Sequence, residues 1–241
     1  MSWKKTLPFF VWQSFRYAKS VAHFKQIWSY HRRWAASFEP GRNSMSDELP
    51  WLTFPAIDFL QNQATPKSKI FEFGGGGSTL FFCKNVAQVA TVEHDKDWFA
   101  ALTETIKNKG YTNWQGFFVT PEQHIPNEHV RQPDNPDDFL SGAPSLATLS
   151  FEKYAKAITT FPVNYFDIIL VDGRARPSCF KQAIPHLKAN GLMVIDNTER
   201  AYYLSKFQDI IALDFRVELH EFAPGSYVAD FTRTTILRKI K

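Results

Sequence analysis

Cysteine is scarce in this chain: Cys83 and Cys179 are the only two among 241 residues. They lie far apart and in no metal-ligand spacing, which argues against a disulfide framework or a zinc site and suits a reducing compartment. No run of eighteen apolar residues occurs, so nothing reads as a bilayer-spanning helix. The opening "MSWKKTLPFFVWQSFR" sets a basic pair before an apolar patch. Gln13 and Arg16 interrupt that patch and no small-residue cleavage site follows, so it does not read as a secretory leader, and a cytoplasmic location is expected. Repeats and low-complexity tracts are missing too. Acidic residues are nearly missing from the N-terminal segment, where residues 1–40 hold seven Lys/Arg against one acid, Glu39. The remaining chain carries 21 basic and 23 acidic residues, so the formal charge of +4 belongs to the arm and the body is slightly acidic. With the cationic footprint confined to one arm and no recognised binding motif in the body, nucleic acid is not expected as a partner.

What is present is apolar and aromatic, 44% and 16% of the chain, enough for a sizeable core. From residue 69 onward strand-like and helix-like stretches alternate. Strands are expected at 69–73, 88–94, 116–120, 166–172, 191–197, 215–222 and 232–239. Helices are expected at 51–63, "WLTFPAIDFLQNQ", and at 78–86, 97–109, 151–160, 178–189 and 199–211. Apolar runs such as "DIILV" and "LMVI" suit strands buried on both faces, as a parallel sheet requires. The alternation predicts an α/β, Rossmann-like, doubly wound, seven-stranded sheet. The last two strands, joined by "APGSYVAD", should form an antiparallel hairpin. Residues 1–45 read as a basic aromatic helical extension and 46–241 as the catalytic domain. Residues 121–150, with five prolines and little periodicity, read as a long surface loop, either a lid or an inert excursion.

The stretch "KIFEFGGGGSTLFF" drives a short strand into four glycines and then a Ser-Thr helix start. Glycine accepts positive φ and removes the Cβ that would keep a ligand from the backbone, and a following helix N-terminus favours an anionic group. A glycine-rich turn with no ligand is the plain alternative. "TVEHD" answers it in part, because Glu93 ends the second strand about twenty residues on, where dinucleotide-type folds place an acid on ribose hydroxyls. A nucleoside ligand is therefore the favoured reading, with His94 lining the adenine side.

Taken together, "FEFGGGGST", "TVEHD", "FDIILVDG", "GLMVIDN" and the terminal hairpin resemble the class I S-adenosylmethionine-dependent methyltransferases over roughly residues 50–241. The resemblance implies that Glu72, Gly74, Gly76 and Glu93 hold the cofactor, S-adenosylmethionine, and extends the candidate set to Gly75, Ser78, Thr79, His94 and Asp172. Nicotinamide enzymes differ, since they rarely carry an acid at the position of Glu72, which would repel a pyrophosphate. Asp172 and the Asp196-Asn197 pair end adjacent central strands and should converge on the crevice. Two carboxylates and an amide oxygen suit Mg²⁺, and the triad Asp172, Asp196, Asn197 is similar to the metal ligands of catechol-type O-methyltransferases. Such a metal would acidify a substrate hydroxyl, while in the competing reading the two aspartates only cap loops and orient substrate. One departure weighs against the metal: those enzymes carry a Lys three residues after the first Asp, and here that residue is Ala175.

Arg174 and Arg176 flank Ala175 beside the expected transfer site, so Arg174, Arg176, Asn197 and Arg200 are candidate acceptor-binding residues. Asp172, Arg174 and Asp196 are candidate catalytic residues. His124 and His220 find no role. In the arm, Tyr17, Val21, Phe24 and Trp28 share one face of a helical wheel, opposite Arg16, Lys19, His23, Gln26 and Arg33. That face can pack on the domain, rest on a membrane surface or form a homodimer contact. The expected activity is methyl transfer to an oxygen of a small molecule, sugar or lipid headgroup. Its rivals are an aminopropyl transferase and a non-catalytic nucleoside-binding or membrane scaffold.

Overall fold

The computed structural model describes residues 3–123 and 131–240. His124, six other residues of the long loop, the first two residues and the last lie outside the described residues. Strands β1 (Lys69–Phe73), β2 (Gln88–Glu93), β3 (Trp114–Phe118), β4 (Phe166–Val171), β5 (Leu187–Ile195), β6 (Phe215–Ala223) and β7 (Thr232–Lys239) form one seven-stranded sheet in the order β3-β2-β1-β4-β5-β7-β6. The first five run parallel, and β7 lies antiparallel to both β5 and β6. The chain therefore starts in the middle of the sheet, winds outward to β3, returns to β4, and closes with the expected hairpin. A short two-stranded ladder joins Glu122–Gln123 to Leu149–Ser150 in the long loop.

Both faces of the sheet are covered, which explains the short apolar runs Ile168–Val171 and Leu192–Ile195 in its central strands. One face packs Phe71, Phe73, Ile169 and Met193 against Tyr154, Cys179, Phe180 and Phe207. The other packs Ile70, Val89, Leu170, Val194 and Ile236 against Ile57, Leu60 and Phe82. Helices α1 (Trp3–Tyr17), α2 (Val21–Ser29), α3 (His31–Ala36), α4 (Ser44–Asp47), α5 (Phe54–Gln63), α6 (Gly77–Cys83), α7 (Lys96–Lys109), α8 (Glu152–Ala155), α9 (Arg176–Ala183) and α10 (Gln208–Asp214) complete the chain. Pro55 sits in the first turn of α5, where its missing N–H costs nothing. Asp95 caps α7 by accepting from the backbone N–H groups of Asp97 and Trp98, and Gly110 ends that helix in the left-handed region.

Several expected elements shift or break. The third strand begins two residues earlier than 116, and 151–160 is one short α-helical turn continued as a 3₁₀ helix. Residues 199–211 form two 3₁₀ turns before α10 rather than one helix. The single wheel drawn through Tyr17, Val21, Phe24 and Trp28 does not exist. The chain breaks after Tyr17, and Ser20 caps a new helix by accepting from the His23 N–H. Tyr17 stacks on Phe222 of the sheet at 4.3 Å between ring centroids, whereas Val21 is 74% exposed. The residues that dock the arm are Phe10, Ile27 and Trp34, buried in one apolar cluster with Leu52, Phe54 and Phe231. Gln13 ties both ends of that contact, donating to Ala229 O at 3.1 Å and accepting from Phe231 N–H at 3.1 Å. Trp34 Nε1 donates to Val228 O at 2.9 Å.

Candidate active site

The carboxyl ends of β1, β2, β4 and β5 open on one cleft of about 540 Å³. Its floor is the turn Gly74–Gly77, its walls carry Glu93, Asp95 and Trp98 on one side and Asp172, Arg174, Arg176, Asp196, Asn197 and Arg200 on the other. Strand order places these ends together: β1 lies between β2 and β4, and the chain reverses direction across the sheet at that point.

Glu93 is 4% exposed, and its carboxylate is held by the backbone. Gly75 N–H donates to Oε2 at 3.1 Å, and the N–H groups of His94 and Asp95 donate to Oε1 at 2.6 and 2.9 Å. Burial pushes this carboxyl up, but His94 and these backbone donors outweigh it and hold it below its ordinary value. His94 Nδ1 lies 2.7 Å from Glu93 Oε1 without the alignment of a hydrogen bond. An ionised, immobile carboxylate thus faces the cleft beside the glycine turn.

Glu72 does not line the cleft. It is fully buried beneath the turn, where Thr91 Oγ1 donates to its Oε2 at 2.9 Å and its Oε1 has no partner. Burial pushes its carboxyl up to about 7. Thr79 is likewise buried, its Oγ1 accepting from Gly76 N–H at 3.1 Å and so pinning the turn. Gly74, Gly75, Gly76 and Ser78 do line the cleft, as do His94 and Asp172.

Asp172, Asp196 and Asn197 converge as expected, but not on a vacancy a metal could take. The Arg176 guanidinium sits among them. Its NH2 donates to Asp172 Oδ1 at 3.0 Å and Asp172 O at 2.8 Å, and its NH1 to Asn197 Oδ1 at 3.1 Å and to Asp196 O. Arg176 Nε donates to Gly173 O at 3.0 Å, and the guanidinium carbon stacks 5.1 Å from the Tyr203 ring centroid. Asp196 Oδ1 is engaged by Thr234 Oγ1 at 2.6 Å. Asp172 Oδ1 and Asn197 Oδ1 are thus held by a fixed cation and Asp196 Oδ1 by a hydroxyl, and with a guanidinium seated among the three side chains the expected metal triad does not fit Mg²⁺. Among the described residues no group of three or more His, Cys, Asp or Glu could hold a metal. Arg176 is 8% exposed and belongs to the frame of the site more than to its open surface.

Both aspartates titrate high. Burial raises Asp172 first, with Arg176 opposing and the Asp196, Glu72 and Glu93 carboxylates adding to the rise. Burial also raises Asp196, again opposed by Arg176 and by the Thr234 hydroxyl. A quarter of the Asp172 side chain nevertheless meets the cleft, so water and an acceptor can reach it. Two non-glycine residues of these loops, Ala175 and Asn197, sit at φ +47° and +54°, a left-handed strain held in place by the Arg176 network.

Sequence reasoning placed Tyr203 on the acceptor side but missed Trp98, Trp51, Ser44 and Tyr202. Trp98 Nε1 donates to Gly75 O at 2.7 Å and its ring forms one side of the cleft. Its position after the Asp95 cap was a usable signal, since an Asp-x-x-Trp helix start next to the glycine turn projects the ring over it. Ser44 and Trp51 come from residues before β1 and gave no signal.

No protein-family model matches the chain, and no curated protein matches it in sequence. Its likeness is to solved structures. A Klebsiella pneumoniae protein described as an O-methyltransferase shares 13% identity at a TM-score of 0.55, with 87% of this chain and 96% of that one covered. A Streptococcus mutans protein described as a methyltransferase, in complex with SAH, shares 11% at 0.53, covering 76% and 94%. The tRNA (m1A58) methyltransferase TrmI from Aquifex aeolicus shares 14% at 0.50, covering 83% and 77%. The fold is thus that of the class I methyltransferases, a Rossmann-like sheet with one antiparallel hairpin, as the glycine turn and strand-end acids led one to expect.

Proposed function

We propose that this chain is an S-adenosylmethionine-dependent methyltransferase acting on an oxygen of a small molecule, sugar or lipid headgroup. The observation that carries it is Glu93, an ionised carboxylate fixed by three backbone N–H groups at the mouth of the glycine turn. Such an acid is placed to accept from a vicinal diol such as a ribose. Glu72, buried with one unpartnered oxygen under the same turn, puts negative potential where a cationic ligand benefits and a pyrophosphate does not.

The donor supplies a methyl group on a sulfonium. What this chain must do is hold the acceptor in line and remove its proton. Asp172, raised by burial and open to the cleft, is the proton acceptor, and Arg176 fixes its orientation. Arg174, Arg200 and Asn197 line the acceptor side. Aminopropyl transfer is disfavoured, because arginines stand where a polyamine amine would need carboxylates. The test is calorimetry with S-adenosylmethionine and its demethylated product: micromolar binding is expected, and folded protein that binds neither refutes the class. Binding without transfer to any hydroxyl acceptor would return the nucleoside-binding scaffold.

A further inference from the structure

We propose that the acceptor carries a negative charge, a carboxylate or a phosphate, seated by Arg174 and Arg200 in a second cavity beside the cleft. This rests on the methyl-transfer reading above. The cavity, of about 440 Å³, lies between the 133–144 segment of the long loop and the ends of β4 and β5, and shares Gly173, Arg174, Arg176 and Arg200 with the cleft. Its polar lining is three guanidinium groups, the phenols of Tyr202 and Tyr203, and Ser141, with no carboxylate. Only Arg176 has its charge met, by Asp172. Arg200 donates to Tyr203 Oη at 2.9 Å, a neutral partner that positions the guanidinium without cancelling it. Arg174 has no side-chain hydrogen bond or ion pair with any described residue. Of the acids in the 133–144 segment, Asp134 faces Lys206, Asp137 faces Lys181, and the buried Asp138 accepts from the Gln132 N–H.

Two uncompensated arginines converging on one concave, acid-free cavity set up a positive field there, and the planar fork of arginine matches carboxylate and phosphate oxygens. The cavity adjoins Asp172, so a molecule anchored by its anion can offer a hydroxyl to the transfer site. In the step itself the acceptor O–CH₃ bond forms as the sulfonium S–CH₃ bond breaks, the electron pair stays on sulfur as a neutral thioether, and the hydroxyl proton passes to Asp172.

The test uses matched probes on the full chain saturated with the demethylated product: 4-hydroxybenzoate against 4-hydroxybenzamide, and glycerol 3-phosphate against glycerol. At least one anion should bind about tenfold more tightly than its neutral partner, as a charge-assisted hydrogen bond implies. Which pair responds separates carboxylate from phosphate. Arg174→Ala and Arg200→Ala, checked for folding by circular dichroism, should each remove most of that preference. No preference for either anion, or a preference that survives both substitutions, overturns the proposal. Wild-type protein that selects the anions but binds no S-adenosylmethionine would instead sink the methyltransferase reading alone.

A different observation carries a second proposal: the outer surface of the arm rests on an anionic bilayer. Docking of Phe10, Gln13, Ile27 and Trp34 turns the opposite side outward, leaving Trp12, Phe15, Val21 and Trp28 at 52%, 71%, 74% and 43% exposure. Phe15 and Trp28 belong to one patch, since Phe24 bridges them at 4.9 and 6.2 Å between ring centroids. Arg16, Lys19 and Lys25 are exposed around it, and no acid occurs before Glu39. Aromatic rings rimmed by cations match the headgroup region of an anionic membrane. Full-length protein should float with phosphatidylglycerol vesicles and much less with phosphatidylcholine ones, and Trp12→Ala with Phe15→Ala should abolish the difference at unchanged melting temperature. Equal flotation with both lipids overturns the proposal. So does concentration-dependent dimerisation in sedimentation velocity without vesicle binding, which would assign the patch to a second copy.

Discussion

Replacing Arg176 by Met removes a cation from the centre of the site while keeping much of its volume. The guanidinium makes five hydrogen bonds, three to backbone carbonyls, one to Asn197 and one to the Asp172 carboxylate. Removing one partner of a buried ion pair costs about 3–5 kcal/mol when the other charge is left unpaired. Since a quarter of the Asp172 side chain is wet, the lower end, about 3 kcal/mol, is expected at high pH. The cost must depend on pH. Asp172 and Asp196 already titrate above ordinary aspartate, at about 8 and about 6, with Arg176 pulling both down. Without the guanidinium both go higher, so the folded variant holds protons that the folded wild type has released. Stability of the variant relative to wild type therefore falls as pH rises through about 6 and about 8. At pH 5 both carboxyls are protonated in both proteins, and only the orphaned carbonyls remain, about 1–2 kcal/mol. Urea denaturation at pH 5 and pH 9 measures this, and at pH 9 Mg²⁺ should restore part of the variant's loss while leaving wild type unmoved. An equal loss at both pH values, or a wild type stabilised by Mg²⁺ as much as the variant, refutes the assignment of Arg176 as the resident cation. If the variant does not fold, Arg176→Lys, which keeps the charge but loses the fork, should show a smaller loss with weaker pH dependence.

Glu93→Gln should weaken binding of the demethylated product by about ten- to a hundredfold in calorimetry, because a fixed charged acceptor becomes a neutral amide. Affinity within twofold of wild type would remove Glu93 from the ligand. Gly77→Ala should destabilise by about 1–3 kcal/mol in denaturant, since its Cβ would collide with the carbonyl oxygens of Ser44 and Leu49 and backbone must move. Glu72 has its folded value raised from 4.5 to about 7, so wild type loses stability as pH climbs through that interval. Glu72→Gln removes this contribution, about 3 kcal/mol, and its melting temperature should fall less between pH 5 and pH 8 than that of wild type.

The sheet was legible because its signal is local: short apolar runs such as Ile168–Val171 suit strands covered on both faces, and the strand-end acids follow from topology. The convergence of Asp172, Asp196 and Asn197 was readable for the same reason. Arg176 was not, because its role depends on χ angles that fold the side chain back over its own loop instead of outward to an acceptor. An arginine four residues after an aspartate is equally compatible with either. The arm failed for a different reason. A helical wheel assumes one continuous helix, and the Ser20 cap that ends that assumption is a single residue inside an otherwise amphipathic run. Helix α2 then starts at a new angle, so Val21 and Trp28 end up outside while Ile27 turns in.

The four glycines also prove to have more than one cause. A Cβ on Gly74, at φ +92°, would lie 3.0 Å from the backbone of Gly173, where the β1 and β4 loops touch. One on Gly75 would press on Thr91 and Leu102 at 2.6 and 2.8 Å, and one on Gly77 on the α4 segment. Only the Gly76 Cβ, 3.3 Å from the Trp98 ring, would project along the cleft wall. Three of the four are thus required by protein packing against the turn from three directions, independently of any ligand. That arrangement fixes the turn before a ligand arrives, with the Gly75 N–H already committed to Glu93 and the Gly75 carbonyl to Trp98. A turn so over-determined needs no ordering on binding, and lowering that cost is what preorganisation contributes to affinity. The glycine run and the Glu93 carboxylate are therefore one device: the packing that demands glycine is the packing that holds the acid still.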